Sequence, residues 1–89
     1  MNPAGSGVTR FLLVTVGLQM KAASATEELK GRDTEVRDAI LRILGGKSVE
    51  DLTNVTNRET YKREIMTALD AVLDGKKTAA VYFPQFVIQ

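Results

Sequence analysis

The only side chains in this chain that could do acid–base chemistry near neutral pH are carboxylates, and they occur as close pairs: Glu27-Glu28, Glu50-Asp51 and Asp70 with Asp74. The 89 residues include no His and no Cys, so the usual general base, the commonest transition-metal ligand and any thiol nucleophile are missing. A Ser-His-Asp or Cys-His arrangement cannot be assembled from this chain alone. We therefore expect no catalytic residue, no metal site and no bound cofactor, which favours binding, scaffolding or assembly.

Most of the acids are better explained as partners of nearby bases. Four of them stand four residues before a basic residue, in the pairs Glu28/Arg32, Asp33/Arg37, Asp38/Arg42 and Glu59/Arg63. On a helix this spacing gives surface ion pairs worth about 0.2 to 0.5 kcal/mol each. Solvated helix faces explain the carboxylates better than a catalytic dyad does.

The segment Gly45-Gly46-Lys47-Ser48 superficially resembles a phosphate-binding loop. It lacks the first glycine of that motif, and the pattern before it predicts a helix where the motif requires a strand. We interpret it as a helix stop followed by a new cap.

Charge and hydropathy further limit the kinds of partner that the chain could bind. Twelve basic residues against eleven acidic ones leave a net charge of +1, which is too little surplus for a duplex-binding face, so we expect no nucleic-acid partner. The longest apolar stretch, residues 11–16, is far shorter than the roughly 20 residues of a membrane-spanning helix. A membrane anchor, if there is one, is absent from these residues.

Residues 11–21 alternate between apolar and polar positions, which predicts a long strand. One face is wholly apolar and consists of Leu12, Val14, Val16, Leu18 and Met20. The other face carries Thr15, Gly17, Gln19 and Lys21 together with Phe11 and Leu13. Residues 1–9 are expected to be a flexible leader or linker, and residues 10–89 the folded domain.

Three helical segments are predicted after this strand. The first opens at a capping box, Ser24 to Glu27, is weakened or ended at Gly31, and restarts or continues over residues 33–44. Within 33–44 the apolar residues recur at helical spacing, so one stripe faces the core. Gly45-Gly46 is expected to end the segment.

The second helical segment is short and the third is long. Ser48 and Asp51 fit a cap for the short one, and a capping box from Thr56 to Glu59 predicts the start of the long one. The long helix is expected to end near Gly75. Its predicted core stripe is Tyr61, Ile65, Ala68, Leu69, Val72 and Leu73.

Residues 78–89 predict a second strand region, so the fold class is α+β, with the two sequence-distant strands pairing in one sheet. Simple alternation sets Val81, Phe83 and Val87 on one face and Tyr82, Phe86 and Ile88 on the other. Pro84 lacks a ladder donor, which indicates an edge position, a bulge or two short strands. Tyr82 and Phe86 are explained either as sheet core or as part of a subunit or partner surface.

Four segments, taken in order, resemble the family of flagellar basal body-associated FliL proteins. The ending VYFPQFVIQ, residues 81–89, looks like the family's terminal V-Y-F-T-x-F-V-I-Q signature. Upstream, Arg32 with residues 36–40 resembles its R-x-P-x-I-R-D-x-I helix, and residues 47–52 resemble its K-(S/T)-x-x-D-L turn. Residues 61–73 occupy the place of its L-K-x-E-L…L…L helix.

This resemblance implies the periplasmic domain of a single-pass inner-membrane protein, with a stomatin/prohibitin (SPFH)-like fold whose members assemble into rings. It implies a non-enzymatic accessory of the flagellar motor that associates with stator subunits of the MotA/MotB type and other basal-body components. Such a protein supports stator assembly, activation and torque in motility and swarming. The alternative is a stomatin-like, membrane-linked oligomeric scaffold unconnected to flagella.

Four residues are candidate contacts with another subunit or a partner. Arg32 and Arg37 could pair across subunits, and Tyr82 and Phe86 could form an apolar contact. Each also has an ordinary structural explanation, as a surface cation or as part of the sheet core.

Overall fold

A computed structural model describes residues 11–89. One strand lies at each end of this part of the chain, and the helices lie between them in sequence. The order is β1 (Leu12–Met20), α1 (Ala23–Gly31), α2 (Asp33–Gly45), α3 (Val49–Thr53), a 3-10 turn (Val55–Asn57), α4 (Arg58–Val72) and β2 (Thr78–Ile88). The strands form a two-stranded antiparallel sheet. The predicted α+β class is confirmed. The predictions for residues 1–9 lie outside the described residues.

Strand β1 covers nearly the whole segment that its alternation predicts. Its apolar face turns toward the helices, where Leu12 is buried and the other four residues are half-buried. Leu13, Thr15 and Gln19 on the opposite face are exposed. The sheet thus has an inner face under the helices and an outer face toward solvent, as is common for antiparallel sheets.

The helical region has more helices than the three segments expected. Between α1 and α2 the backbone of Arg32 leaves the helical region, at φ −119° and ψ 31°, and its N–H donates to the carbonyl of Leu29. The predicted first segment is therefore two helices. With α3 and α4 the described residues contain four α-helices.

Of the three predicted caps, only the one at Ser48 is confirmed. Its hydroxyl accepts a hydrogen bond from the Asp51 N–H at 3.1 Å. The cap of helix α1 is Ala22, two residues before the predicted Ser24, so the helix begins at Ala23 and Ser24 lies inside its first turn. The Thr56 hydroxyl donates to the Asn54 side chain at 2.6 Å, and α4 begins after Asn57 instead.

The predicted ion pairs are confirmed only within α2. Asp33 pairs with Arg37 at 2.8 Å, and Asp38 pairs with Arg42 at 2.9 Å. Glu28 instead reaches Lys77, 49 residues away, at 2.7 Å. Glu59 pairs with Lys62 at 3.2 Å, one position closer than the predicted Arg63.

The core consists of two clusters joined by half-buried residues that touch both, among them Ile40, Ile43 and Phe83. One cluster is centred on Leu12, Leu44, Leu52 and Tyr61. The other is centred on Val36, Ile65, Leu69 and Val81. Of the six residues of the stripe predicted for α4, Tyr61, Ile65, Leu69 and Leu73 are buried, whereas Ala68 and Val72 are only half-buried.

Strand β2 contains a bulge at Pro84, one of the three possibilities that the sequence left open. Thr15 faces Gln85 and Gly17 faces Tyr82, so one residue of β1 lies opposite two residues of β2. The extra residue shifts the alternation, which sets Phe86 on the inner face with Phe83. The prediction that Phe86 and Ile88 share a face with Tyr82 is therefore wrong, since both pack on the core. The prediction that Val87 shares a face with Val81 and Phe83 is also wrong, since Val87 is exposed.

Helix α4 ends in a Schellman motif whose left-handed residue is Asp74, one position before the predicted Gly75. The Gly75 N–H donates to the Asp70 carbonyl at 2.9 Å, and the Asp74 N–H donates to the Ala71 carbonyl at 3.4 Å. Asp74 adopts φ 56°, a conformation that costs a residue with a Cβ more than it costs glycine.

We expect Asp74→Gly to stabilise the domain by about 0.5 to 1 kcal/mol, because glycine adopts the left-handed conformation without strain. The change also removes a negative charge from the negative end of the helix dipole. Asp74→Asn is the control, since it removes the charge and keeps the Cβ. Urea unfolding of both variants separates the two effects, and a lower midpoint for Asp74→Gly would contradict the prediction.

Thr78, at the start of β2, is held by its backbone while its hydroxyl is buried without a partner. The residue is 3% exposed, and its Oγ1 makes no hydrogen bond. Its N–H donates to Oδ1 of Asp70 at 3.1 Å, and the Lys77 N–H donates to the same oxygen at 3.1 Å. The Asp70 carboxylate thereby joins the end of α4 to the start of β2.

Thr78→Val is expected to raise the free energy of unfolding by about 1 kcal/mol, since valine has the same shape and removes an unsatisfied buried hydroxyl. Thr78→Ser keeps the hydroxyl, loses a buried methyl group and should lower stability by about 1 kcal/mol. Thermal unfolding of the two variants should therefore show shifts of opposite sign. A valine variant less stable than the parent would mean that the hydroxyl has a bound water as partner.

Candidate interaction surfaces

Four of the six large hydrophobic side chains that are exposed among the described residues lie on the solvent side of the β1–β2 sheet. We call Phe11, Leu13, Tyr82 and Val87 the outer sheet face. Leu13 and Val87 are cross-strand neighbours, each 43% exposed, while Phe11 and Tyr82 are each 50% exposed. Apolar side chains clustered at this exposure are typical of protein–protein contact surfaces.

The outer sheet face results from the two strand patterns together. In β1 the residues Leu13, Thr15 and Gln19 point away from the helices because the opposite positions are needed for the core. In β2 the bulge brings Val87 to the same side. The Tyr82 hydroxyl donates to the side-chain oxygen of Gln19 at 3.1 Å, which orients the ring across the two strands.

Arg32 joins the α1–α2 junction to the end of α4. Its guanidinium donates to the Val72 carbonyl at 3.1 Å and to Glu35 at 3.5 Å. A cation at the carbonyl end of a helix satisfies an unpaired acceptor and is favoured by the helix dipole. Arg32 therefore has an intramolecular role, and its predicted subunit contact remains a prediction.

Arg37 has the most exposed side chain of the four candidate residues. Its Nε donates to Asp33 on the same helix at 2.8 Å, and the side chain is 75% exposed. This pair lies at the lip of a groove between α2 and β1. An exposed pair of this kind is worth well under 1 kcal/mol, so either partner can exchange it for an intermolecular pair at little loss.

Phe86 is part of the core and lies on the sheet face opposite to Tyr82. Its ring is 5.2 Å from the Phe83 ring, and the guanidinium of Arg58 lies 4.6 Å from its centre. It packs against the cluster around Leu12 and Leu44. The structure therefore does not bring the four candidates together, since only Tyr82 belongs to the outer sheet face.

Sequence reasoning missed three residues of the outer sheet face, Phe11, Leu13 and Val87. The signal for Leu13 was present, because it stands with Phe11 on the otherwise polar side of β1. Val87 carried no such signal, since simple alternation assigns it to the inner face. Only the bulge in β2 shows that it is exposed.

Within residues 11–89 the ionisable groups form no arrangement of three or more potential metal ligands. Burial raises the pKa of the Tyr61 phenol above its ordinary value of 10.0. The protonated hydroxyl donates to the Asp51 carbonyl at 3.0 Å, so it ties α4 to α3. In the same part of the chain no helix has the length and apolar character needed to cross a membrane.

The fold and these surfaces define a small α+β domain with an open apolar sheet face suited to protein contacts. Residues 1–89 match the family described as flagellar basal body-associated protein FliL. The chain belongs to this FliL family, as the four sequence segments predicted.

Two curated relatives agree with this assignment. The flagellar protein FliL of Aquifex aeolicus (strain VF5) is 26% identical over 89 residues, which is 100% of this chain and 55% of the relative. That of Bacillus subtilis (strain 168) is 26% identical over 79 residues, which is 89% of this chain and 56% of the relative. The chain thus spans a little over half the length of these relatives.

Proposed function

We propose that this domain is the periplasmic part of a membrane-anchored, non-enzymatic accessory protein of the flagellar motor, which associates with the stator and supports its assembly, activation and torque. The observation that carries the proposal is the family match over residues 1–89. The relatives are both named flagellar proteins, which supports the motor role. We also propose that the fold is of the stomatin/prohibitin type.

The proposed working form is a homo-oligomeric ring in the membrane. The outer sheet face supports this part of the proposal, because Leu13 and Val87 form an uncharged apolar pair that solvent otherwise contacts. A ring needs a heterologous contact, in which this face of one subunit meets a different surface of the next. Arg37, exposed and weakly paired, is a candidate for that second surface.

The proposed mechanism is selective binding of one stator state. A ring of these domains would enclose the periplasmic linker of the stator's peptidoglycan-binding subunit. If the ring has higher affinity for the extended, unplugged linker, that differential affinity shifts the stator toward its active state. The domain needs no reacting group for this role.

The test is co-purification of the protein, expressed from its complete reading frame in native membranes, with the stator complex, followed by imaging of the particles. The membrane context matters because weak oligomers dissociate by mass action when untethered. We expect a ring around the stator. A ring without a stator would favour the stomatin-like scaffold, and the absence of both would overturn the proposal.

A matched pair of variants tests the outer sheet face in the same preparation. Leu13→Asp combined with Val87→Asp is expected to abolish the ring, because it buries two unpaired charges in the proposed contact. Val55→Asp is the control, since Val55 is 65% exposed and lies in the 3-10 turn outside the sheet. Equal loss with both variants would show that this face is not the subunit contact.

A further inference from the structure

Helix α1 buries far less apolar surface than the other helices do. Of its nine residues only Ala25 is buried, and its one large apolar side chain, Leu29, is half-buried against the core. The much shorter α3 buries Leu52 completely. Because helices in proteins owe most of their stability to tertiary packing of an apolar face, α1 is held more weakly than its neighbours.

The N-terminal end of α1 has little local support. Its cap is Ala22, which has no side-chain oxygen for the first N–H groups, and no acidic residue lies in its first turn. A crevice of about 350 Å³ lies between this end of the helix and the residues just before β2. Lys21, Lys76 and Lys77 line the crevice, so the positive end of the helix dipole faces three like charges.

The ion pair between Glu28 and Lys77 crosses this crevice. Glu28 is the only acid among the residues that line it, and its carboxylate accepts a hydrogen bond from Lys77 Nζ at 2.7 Å. The two side chains are 34% and 37% exposed, so water screens this pair less than it screens the exposed pairs on α2. At the other end of α1, Arg32 donates to the Val72 carbonyl at 3.1 Å. Polar contacts therefore hold much of α1 in place.

The rest of the core is nearly independent of α1. In the described part of the chain, the cluster around Leu12, Leu44, Leu52 and Tyr61 includes no residue of α1, and the other cluster receives only Leu29 from it. The pairing of β1 with β2 and the packing of α4 on α2 and on β2 involve other elements. Loss of α1 from its position would therefore leave most of the core packing intact.

Breaks in the helical backbone bound α1 on both sides. Ala22 is extended, at φ −150° and ψ 155°, and Arg32 lies outside the helical region, at φ −119° and ψ 31°. The helix can therefore separate from β1 and α2 without breaking the hydrogen bonds inside them. A detached helix of nine residues is too short to persist in water, so detachment and unfolding of α1 occur together.

We propose that α1 is a strap with two states, which detaches and unfolds as one unit while the sheet and the other helices stay folded. The Glu28–Lys77 pair is the latch that favours the closed state. Opening uncovers the end of the core cluster centred on Val36, against which Leu29 packs. A partner with higher affinity for one of the two states would shift the domain toward that state.

Hydrogen exchange of the complete protein tests whether α1 opens alone. The protein is expressed from its complete reading frame, placed in lipid nanodiscs and followed by mass spectrometry of its peptides, so that segments outside residues 11–89 are present. After correction for intrinsic rates, we expect residues 26–31 to exchange at least about tenfold faster than residues 64–71 of α4. Equal rates in the two helices would overturn the proposal.

Glu28→Gln tests the latch. The change removes the ion pair and leaves three lysines beside the positive end of α1, so exchange in α1 should become about tenfold faster while α4 is unchanged. Glu27→Gln is the matched control, because Glu27 is 74% exposed and pairs with Lys30 of the same helix at 3.5 Å. Equal effects of the two variants would overturn the role of the latch. Faster exchange in α4 as well would show that α1 does not open independently.

Gly31→Ala should act in the opposite direction. Residue 31 is helical, and a Cβ there would meet no neighbouring atom within 4 Å, so alanine fits and favours the helical state. We expect exchange in α1 to slow by about threefold with no change in α4. Unchanged exchange in α1 would show that opening does not unfold the helix, and would overturn the proposal.

Discussion

Leu44→Ala is expected to lower the free energy of unfolding by about 3 to 4 kcal/mol, the largest effect of a single truncation proposed for this domain. Leu44 is 0% exposed and lies in the cluster formed by Leu12, Leu52 and Tyr61. Removing its side chain leaves a cavity where α2, α3, α4 and β1 meet. For a domain of this size, the loss is a large fraction of the total stability.

Leu41→Ala on the same helix is the matched control. Leu41 is 53% exposed, so its truncation should change stability by less than about 1 kcal/mol. Urea unfolding followed by circular dichroism measures both variants. Similar midpoints for the two would mean that α2 does not present the buried stripe described above.

Phe86→Ala is expected to cost about 2 to 3 kcal/mol, somewhat less than a fully buried phenylalanine, because the ring is half-buried. The substitution removes the contact with Phe83 and exposes the aliphatic part of Arg58, whose Nε is buried without a hydrogen-bond partner. It also removes a residue packed on the cluster around Leu12.

Tyr82→Ala is the control for the bulge at Pro84. Tyr82 is half-exposed and its hydroxyl bonds only to the exposed Gln19, so we expect a loss of about 1 kcal/mol or less. Thermal unfolding of the pair therefore reports which of the two aromatic side chains faces the core. A greater loss for Tyr82→Ala than for Phe86→Ala would contradict the register of β2.

The parts of the fold that the sequence predicted well have strong local patterns. The alternation in residues 11–21 and the helical stripes of α2 and α4 each repeat several times, so the core residues Leu44, Ile65 and Leu69 could be identified directly. Helix α2 ended at the double glycine as expected, with Gly45 as its last residue and Gly46 as its C-cap. These features depend on neighbours in the chain.

The features that the sequence did not predict depend on distant partners or on local competition. Glu28 stands four residues before Arg32, the favoured spacing for a helical ion pair. The helix breaks at Arg32, and Glu28 pairs with the distant Lys77 instead. Thr56 had the sequence pattern of a helix cap, but its hydroxyl donates a hydrogen bond to the side chain of Asn54 instead. The two-against-one pairing at Pro84 is a property of both strands, which a single strand's alternation cannot show.

The same limits apply to the candidate surfaces. The four segments that resemble the FliL family were sufficient to predict membership, because motif spacing is a property of the chain alone. The contact residues were harder to predict, since exposure decides them. The exposure of Val87 became evident only when the register of the two strands was known, whereas the alternation of β1 already set Leu13 on its polar side.

The side-by-side pairing of Phe11 and Gln89 makes the mechanical resistance of the domain depend on direction. A force that pulls residues 11 and 89 apart opens the β1–β2 ladder one hydrogen bond at a time, beginning with that pair. A force applied between residue 11 and the far end of β2, at Thr78, loads the ladder along the strands, so its hydrogen bonds resist together. The domain should therefore unfold at a low force in the first direction and resist a much higher force in the second.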